Sequence, residues 1–291
     1  MKIGLALGGG GARGSYQVGI VKALNEIKII DKIKDVSGTS IGAINTLMVM
    51  ANFDYNRMIE VWEKINNEEI YGSGADRYKA DKLGIFSLHE IYQKISKEVT
   101  LSEIRESRIQ GYATAAKIKK ESLVEQLLLH RMKREVFHLN NFKDPHKAVL
   151  ASSSIPIIFG STKIGDEVYV DGGAIDNCPL EPLIDAGCDV IFTVPLHSTF
   201  KAKKYEKNDV LIINFHSNYH FGLISDVLDF KPTIVEENAE YGYLIAKYII
   251  TKLQELNIMD ENYNIMKPEG FYVVEIEKDE EKELRGELDG S

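Results

Sequence analysis

The stretch "GTSIG" at residues 38–42 matches the pattern G-x-S-x-G, which can carry a reactive serine. In such an elbow the serine lies on a tight turn between a strand and a helix, and the flanking glycines avoid clashes with both. The surrounding sequence fits, because residues 33–38 are typical of a short strand and residues 40–51 of a buried apolar helix. We therefore predict that Ser40 presents its hydroxyl as a nucleophile.

A glycine-rich loop, "GGGGARG" at residues 8–14, follows a predicted strand at residues 2–7 and opens a predicted helix at residues 12–27. It contains G-x-G-x-x-G, the pattern of a dinucleotide-binding turn that holds a pyrophosphate at a helix N-terminus. Such a site needs an acidic residue about 20 positions later, and Asp31 and Asp35 lie near that offset. However, the position that should bind the ribose falls in the serine turn.

The same loop could instead form an oxyanion hole. Successive glycine N–H groups at a helix start face one concavity, and the helix dipole favours negative charge there. A tetrahedral acyl intermediate needs such donors, and each is worth about 3–4 kcal/mol. The presence of both a nucleophilic serine and these donors favours acyl transfer.

A serine nucleophile needs a base, and Asp171 is the strongest candidate. The predicted strand at residues 167–170 ends at Asp171-Gly172-Gly173, and ligands gather at the carboxyl ends of parallel strands. The alternative, that this Asp-Gly pair is an ordinary β-turn, stays open. No histidine is expected at a strand-end turn; the seven are His89, His130, His138, His146, His197, His216 and His220.

Strands and helices alternate along the chain, which predicts an α/β fold with a largely parallel sheet. Further predicted strands lie at residues 109–118, 188–196 and 209–215. Further predicted helices lie at residues 54–66 with Asp54 as N-cap, 144–154 with Pro145 at its first position, 179–187 and 233–256. The charged residues 277–291 are expected to form a frayed, solvated end.

Composition limits the classes of function. The 291 residues are 44% hydrophobic and carry a net charge of −9, which disfavours nucleic acid and non-specific attraction to anionic membranes. Neutral or zwitterionic surfaces remain open. Cys178 and Cys188 suggest neither a disulfide framework nor a metal site. With no signal peptide or membrane-spanning stretch seen, we expect a soluble, cytoplasmic protein.

Four stretches together resemble the patatin-like phospholipases, in order and in spacing, over roughly residues 3–196. They are "LALGGGGARGSYQVGIVKAL", "SGTSIGAIN", "ASSSIPIIF" and "VYVDGGAIDNCPLEPL". The resemblance implies a three-layer α/β sandwich with a mainly parallel central sheet, related to the α/β hydrolases. It also implies a Ser–Asp dyad that has no catalytic histidine.

Carried over to this chain, the resemblance makes Ser40 the nucleophile and Asp171 the base. The backbone N–H groups of Gly10 and Gly11 would form the oxyanion hole, with Arg13 beside it. The remaining motif glycines are Gly9, Gly14, Gly38, Gly42, Gly172 and Gly173. Asn177-Cys178-Pro179 matches a structural turn of the family. No cofactor or metal is required, and no calcium-binding loop is present in the sequence.

The resemblance implies a catalytic domain at residues 3–196. We expect residues 197–291 to form an α/β extension packed on it, with a flexible charged tail. We expect a serine esterase that hydrolyses phospholipid, lysophospholipid or acylglycerol and touches a membrane surface or micelle transiently. Two alternatives stay open: a nucleotide-binding protein and a catalytically silent lipid-binding protein. The sequence does not determine the oligomeric state.

Three loops could serve the substrate. The glycine-rich segment at residues 71–86 is a candidate lid. Apolar residues 83–86 and 155–159 could line an acyl channel, or could be ordinary packing. The basic run at residues 201–207 could touch a headgroup, or could be a solvated surface.

Overall fold

The computed structural model describes residues 1–64, 89–156, 158–218 and 230–289, and within them nine strands form one sheet. The strands are β1 (Ile3–Leu7), β2 (Ile33–Thr39), β3 (Gln110–Ile118), β4 (Lys133–His138), β5 (Thr162–Ile164), β6 (Glu167–Asp171), β7 (Val190–Val194), β8 (Leu211–Asn214) and β9 (Tyr272–Glu275). The α-helices are α1 (Ser15–Glu26), α2 (Ile41–Met50), α3 (Tyr55–Lys64), α4 (His89–Glu98), α5 (Leu101–Arg105), α6 (Leu123–Leu127), α7 (Pro145–Ser152), α8 (Glu181–Asp185), α9 (Pro232–Glu255) and α10 (Lys278–Asp289). The candidate lid at residues 71–86 lies outside the described residues.

Hydrogen bonds join the strands in the order β5-β6-β3-β2-β1-β7-β8-β9, and β4 also pairs with β3. Strands β1, β2, β3, β7, β8 and β9 run parallel. Strands β4 and β6 run antiparallel to β3, and β5 runs antiparallel to β6. The predicted α/β class with a mainly parallel sheet is confirmed.

Helices cover both faces of the central strands, so the molecule has three layers. In β1, Leu5 belongs to the large core that includes residues of α1, α2 and α9, whereas Ala6 belongs to a smaller core that includes residues of α8. This alternation follows from the two-residue period of a strand. Because both faces are covered, β1 is buried throughout and reads in the sequence as a continuous apolar run.

The predicted helices are confirmed in type, and their ends move by a few residues. The helix expected from residue 12 begins with a 3-10 turn, Gly11–Gly14, and then continues as α1. Asp54 caps α3, since its Oδ1 accepts from Arg57 N at 2.9 Å. Pro145 is the first residue of α7, where its missing N–H costs no hydrogen bond.

Strand β3 brings two distant segments to one place. Because β4 pairs along one edge of β3, β2 and β6 share the other edge. Strand β2 ends where Thr39 pairs with Thr114, and β6 ends where Asp171 pairs with Ala115. Ser40, the residue after Thr39, therefore meets Asp171 at the carboxyl-terminal edge of the parallel strands.

The chain after residue 196 extends the same sheet. Strand β8 pairs with β7, β9 pairs with β8, and α9 packs along α1. The two helices approach closely at Gly19, where a Cβ would lie 1.8 Å from Ala239 O. The division between residues 196 and 197 into two domains stays a prediction.

The expected frayed end is wrong for residues 278–289, which form α10. Glu281 of this helix is fully buried and accepts hydrogen bonds from Ser217 Oγ, Asn218 N and Tyr241 OH. A glutamate buried with such partners cannot be distinguished, by composition, from the solvated charges around it.

Candidate active site

Ser40 occupies the turn between β2 and α2 in a strained backbone conformation, with φ 56° and ψ −126°. Such a conformation costs on the order of 1–3 kcal/mol for a residue with a side chain. The turn is held from α7, because Ser40 N donates to Ser152 Oγ at 2.9 Å. Ser152 Oγ in turn donates to Thr114 O at 2.5 Å, which ties the turn to β3.

The motif glycines lie at close contacts between the segments of this site. An added Cβ would come within 3.0 Å of another atom at Gly9, Gly10, Gly14, Gly38, Gly42, Gly172 and Gly173. At Gly42 the nearest atom would be Leu7 O, at 2.1 Å, so α2 can start beside the end of β1 only without a side chain there. At Gly172 it would be Thr114 O, also at 2.1 Å.

Asp171 is the hydrogen-bond partner of Ser40. Ser40 Oγ donates to Asp171 Oδ2 at 2.5 Å, and both residues are only 6% exposed. The other carboxylate oxygen, Oδ1, accepts from Gly173 N at 2.7 Å. The backbone is fixed as well, since Asp171 N donates to Ser154 O at 2.8 Å. Both oxygens of the carboxylate are thereby oriented by hydrogen bonds.

Burial changes the proton affinity of this carboxylate. It raises the pKa of Asp171 from 3.8 to about 6, although the hydrogen bonds from Ser40 and Gly173 act in the opposite direction. A carboxylate with a raised pKa accepts a hydroxyl proton more readily, and it is still ionised at neutral pH.

The glycine loop passes directly beside the serine turn. Gly9 N donates to Asn177 O at 2.9 Å, and Asn177 Nδ2 donates to Gly9 O at 3.1 Å. These two bonds clamp the loop to the segment that follows Asp171. The contact is close, since a Cβ on Gly9 would lie 3.0 Å from Ser40 Cβ.

Gly10 and Gly11 line the same cavity as Ser40 and Asp171. They stand at the start of the 3-10 turn, where backbone N–H groups have no acceptor within the turn. Among the described residues, neither the Gly10 nor the Gly11 N–H donates to a protein acceptor. Two unused donors at a helix start, beside a serine hydroxyl, favour negative charge at this point.

A buried polar network holds the glycine loop from behind. Gln17 Nε2 donates to Gly8 O at 2.8 Å and to Val194 O at 3.2 Å. Asn45 Nδ2 donates to Gln17 Oε1 at 2.7 Å, and Trp62 Nε1 donates to Asn45 Oδ1 at 3.0 Å. The Gln17, Asn45 and Trp62 side chains are fully buried, so each bond is made in a region of low dielectric.

Arg13 is buried in the 3-10 turn, and its charge acts on the neighbouring His197. Burial lowers the pKa of His197, and the nearby Arg13 and His216 lower it further. No hydrogen bond joins His197 to Ser40 or Asp171 among the described residues. The expectation that Arg13 lies beside an oxyanion hole stays a prediction.

Ser40 and Asp171 line the first of two adjoining cavities. The cavity at Ser40 has a volume of about 280 Å³, and Ile155 and Pro156 form part of its wall. A second cavity of about 430 Å³ extends from it and includes Lys201 and Lys204. The two share the lining residues Gly173, Asn177, His197 and Thr199. Ile157 and the apolar residues 83–86 lie outside the described residues.

The cavity wall also includes residues that the sequence did not identify. The expectation that no histidine stands near a strand end is wrong, because His197 lies three residues after β7 and lines both cavities. His197 directly follows the predicted strand at residues 188–196, and this position could have identified it as a residue at the edge of the sheet. Ser152 carried no such signal, since its bond to Ser40 N depends on how α7 packs on the sheet.

The acidic residues of the dinucleotide interpretation lie at the wrong end of the sheet. Asp35 is buried within β2 and pairs with Lys2 Nζ at 2.8 Å. Asp31 precedes β2 and pairs with Arg108 at 3.2 Å. Both stand towards the amino-terminal end of the strand, away from the glycine loop. Neither carboxylate therefore lies where it could bind a ribose beside the loop.

Within the described part of the chain, no three His, Cys, Asp or Glu side chains gather in a group that could hold a metal ion. In the same ranges, no helix has the length and apolar character needed to cross a membrane.

Two curated relatives indicate similarity to lipid-processing proteins. The chain is 28% identical over 270 residues to "Probable lipid hydrolase 463L" of Invertebrate iridescent virus 6, covering 85% of this chain and 90% of the relative. It is 30% identical over 200 residues to "Lysophospholipase nte1" of Aspergillus terreus, covering 67% of this chain. The match covers only 12% of that fungal protein, which is much longer.

Solved structures and family models agree with the fold. The type III effector protein ExoU aligns with 85% of this chain and 52% of its own, at a TM-score of 0.51 and 15% identity, which supports the fold alone. The model of the family described as "Patatin-like phospholipase" matches residues 5–184, more than half of the chain. On this match, the chain belongs to the patatin-like phospholipase family.

Proposed function

We propose that the protein is a serine esterase that hydrolyses the acyl ester bonds of lipids through Ser40 and Asp171. The family and the names of the relatives support lipid hydrolysis. The observation that carries the proposal is the 2.5 Å hydrogen bond from Ser40 Oγ to Asp171 Oδ2, in a cavity that Gly10 and Gly11 also line.

In the first half of the reaction, Ser40 Oγ attacks the carbonyl carbon of the ester while its proton passes to Asp171 Oδ2. The carbonyl oxygen becomes an oxyanion, which accepts hydrogen bonds from the Gly10 and Gly11 N–H groups. When this intermediate collapses, the bond to the leaving alcohol breaks and Asp171 gives its proton to the alcohol oxygen. Ser40 then carries the acyl chain as an ester.

In the second half, a water molecule attacks the acyl carbon of that ester and gives a proton to Asp171. The new oxyanion accepts the same two hydrogen bonds. Its collapse releases a fatty acid, and the proton returns from Asp171 to Ser40 Oγ. One carboxylate thus acts as base and then as acid in each half, which suits a pKa near the working pH.

The adjoining cavity suits the polar part of a phospholipid or lysophospholipid. It contains Lys201, whose charge attracts a phosphate, and His197 at the junction with the cavity at Ser40. Lys204 also lines it, with its ammonium paired to Glu181 at 2.8 Å. The fungal relative is named a lysophospholipase, so a lysophospholipid is the first substrate to test. We propose that the acyl chain leaves Ser40 in the other direction, past Ile155 and Pro156.

The test is fatty-acid release from lysophosphatidylcholine by the full chain and by Ser40→Ala. We expect activity in the wild-type protein and a fall of about 10⁴-fold or more in the variant, because no other group takes the place of the nucleophile. Ser153→Ala is the matched control. Ser153 is 8% exposed, and among the described residues its Oγ donates to Val149 O of α7 alone.

We expect Ser153→Ala to retain the wild-type rate. Comparable activity in Ser40→Ala and Ser153→Ala would remove Ser40 from the mechanism. A folded wild-type protein that binds lysophosphatidylcholine and releases no fatty acid would instead support the catalytically silent alternative.

A further inference from the structure

The connection between β3 and β4 projects beyond the catalytic edge of the sheet. Asp171 pairs with Ala115, and β3 continues past that pair to Ile118, a further distance of about 10 Å. Residues 119–132 then form the connection, here called the hairpin tip. It contains α6 and a 3-10 turn, Leu129–Arg131. The tip therefore stands outward from the edge at which the cavity opens.

The hairpin tip exposes large apolar side chains. Val124 is 66% exposed, Leu127 58% and Leu129 56%. A single exposed leucine is normal on a protein surface and needs no explanation. Three large apolar side chains exposed within six residues form a patch that does need one. Near the cavity, Ile175 adds a fourth exposed apolar side chain at the same edge of the sheet.

Basic residues flank these apolar side chains in the sequence. Residues 117–135 hold six Lys and Arg against three Glu, in a chain whose net charge is −9. Glu121 pairs with Lys163, and Glu125 pairs with Arg131. Three basic side chains in or next to the tip form no ion pair with a described residue. They are Lys119, Lys120 and Lys133.

The tip is anchored at its base. Met132 packs against a small core that includes Ile118, Val168 and Val170 of β3 and β6. Lys163 of β5 reaches Glu121 with an ion pair of 2.6 Å. The exposed leucines therefore extend from a packed base. Their own side chains are not buried in the core of the protein.

We infer that the hairpin tip docks the protein on a phospholipid bilayer, with Val124, Leu127 and Leu129 inserted among the acyl chains and the three lysines beside headgroup phosphates. Exposed apolar side chains with lysines next to them are typical of a segment that binds at a membrane interface. The inference rests on the proposed function, because it takes the substrate esters to lie in a lipid layer. Docking at this edge presents the mouth of the cavity to that layer.

The test compares two double variants of the full chain. Leu127→Ser with Leu129→Ser changes the tip. Leu256→Ser with Met266→Ser is the matched control, because these side chains are 44% and 49% exposed and lie between α9 and the amino-terminal end of β9. That end of the strand stands at the opposite edge of the sheet.

Binding is measured by sedimentation with phosphatidylcholine vesicles that contain a minor share of phosphatidylglycerol. We expect the tip variant to partition about tenfold or more weakly than wild type, and the control variant to partition as wild type does. A second variant, Lys119→Glu with Lys120→Glu, should bind several-fold more weakly at low salt, and this difference should shrink at high salt.

Hydrolysis of p-nitrophenyl butyrate separates this inference from the proposed function. We expect the tip variant to cleave this soluble ester at the wild-type rate while losing activity on vesicles. Vesicle binding by the tip variant equal to wild type, or equal losses in the tip and control variants, would overturn the docking inference. A change from dimer to monomer in the tip variant, with vesicle binding intact, would assign the surface to a second copy of the chain.

If the wild-type protein bound vesicles through the tip but cleaved no ester, the proposed function would fail and the docking surface would stand.

Discussion

At the scale of single residues, the proposed mechanism depends on one carboxylate as the base in place of a histidine. Asp171 is held by Gly173 N and by its own backbone bond to Ser154 O, so its Oδ2 faces Ser40 Oγ without rearrangement. Burial makes the carboxylate a better base by raising its pKa to about 6. An exposed aspartate in the same position would be ionised over a wider pH range but would be a poorer proton acceptor.

The first prediction concerns the pH dependence of activity. Only the ionised form of Asp171 can accept the Ser40 proton, so kcat/KM for p-nitrophenyl butyrate should rise about tenfold per pH unit below about 6 and level off above it. Asp171→Asn should lose most of the rate and this titration with it. A limb centred near pH 4 in the wild-type protein would contradict the role of burial.

The raised pKa of Asp171 also determines how the stability of the fold depends on pH. Because the pKa of folded Asp171 lies above its ordinary value of 3.8, this group stabilises the fold most below pH 3.8, and that stability is lost as the pH rises through about 6. We expect Asp171→Asn to unfold at a higher temperature than wild type at pH 8, with the difference shrinking at pH 4. Asp35→Asn is the control, since this buried carboxylate pairs with Lys2 instead.

The sequence predicted Ser40 and Asp171 as site residues because glycines beside them mark the ends of strands. It could not find Ser152, whose role depends on the packing of α7, and it passed over His197. A residue that acts through local chain geometry leaves a pattern in its neighbours. A residue that reaches the site from another element leaves none.

At the scale of elements, three helices position the glycine loop through one polar network. Gln17 of α1 bonds the loop at Gly8 O, Asn45 of α2 bonds Gln17, and Trp62 of α3 bonds Asn45. None of these side chains reaches the cavity, so we regard them as positioning residues. Their effect on the reaction would be exerted through the Gly10 and Gly11 donors.

We expect Gln17→Met to lower kcat about 10- to 100-fold on p-nitrophenyl butyrate and to change KM much less, because small displacements of the donors weaken mainly the transition state. Val18→Ala, at a fully buried neighbour on α1, is a control for lost stability. It should reduce the melting temperature and leave kcat near wild type. Parallel losses of kcat in both variants at matched stability would indicate a structural role only.

The helices and strands that the sequence predicted well are those with a continuous apolar run or a long apolar face. Strand β1 and helix α2 are buried on all sides, and α9 has a long apolar face. The sequence patterns did not predict β4, β5 and β9, nor the helices α4, α5, α6 and α10. Strands β5 and β9 are short and partly exposed, and the stability of α10 comes from tertiary bonds such as that from Ser217 Oγ to Glu281.

At the scale of the whole molecule, four segments separated in sequence meet at one edge of the sheet. The glycine loop follows β1, the serine turn follows β2, Asp171 ends β6, and His197 follows β7. The parallel arrangement alone brings three of them together. The fourth, Asp171, comes from an antiparallel strand, and it reaches the site because β6 takes up the edge of β3 that β2 leaves free.

The whole fold therefore places the cavity at Ser40, the adjoining cavity and the hairpin tip on the same side. The sequence predicted the class of the sheet and the segments that line its edge. It did not predict the tip, because an exposed leucine and a buried one are identical in sequence until the strands beside them have a register.

The most direct measurement is the site of covalent labelling by a fluorophosphonate on the folded, active chain, read by peptide mass spectrometry. We predict that Ser40 is the one modified residue. Its labelling should slow as the pH falls through about 6 and should disappear in Ser40→Ala. Labelling of another residue, or full hydrolytic activity with Ser40 unmodified, would contradict it.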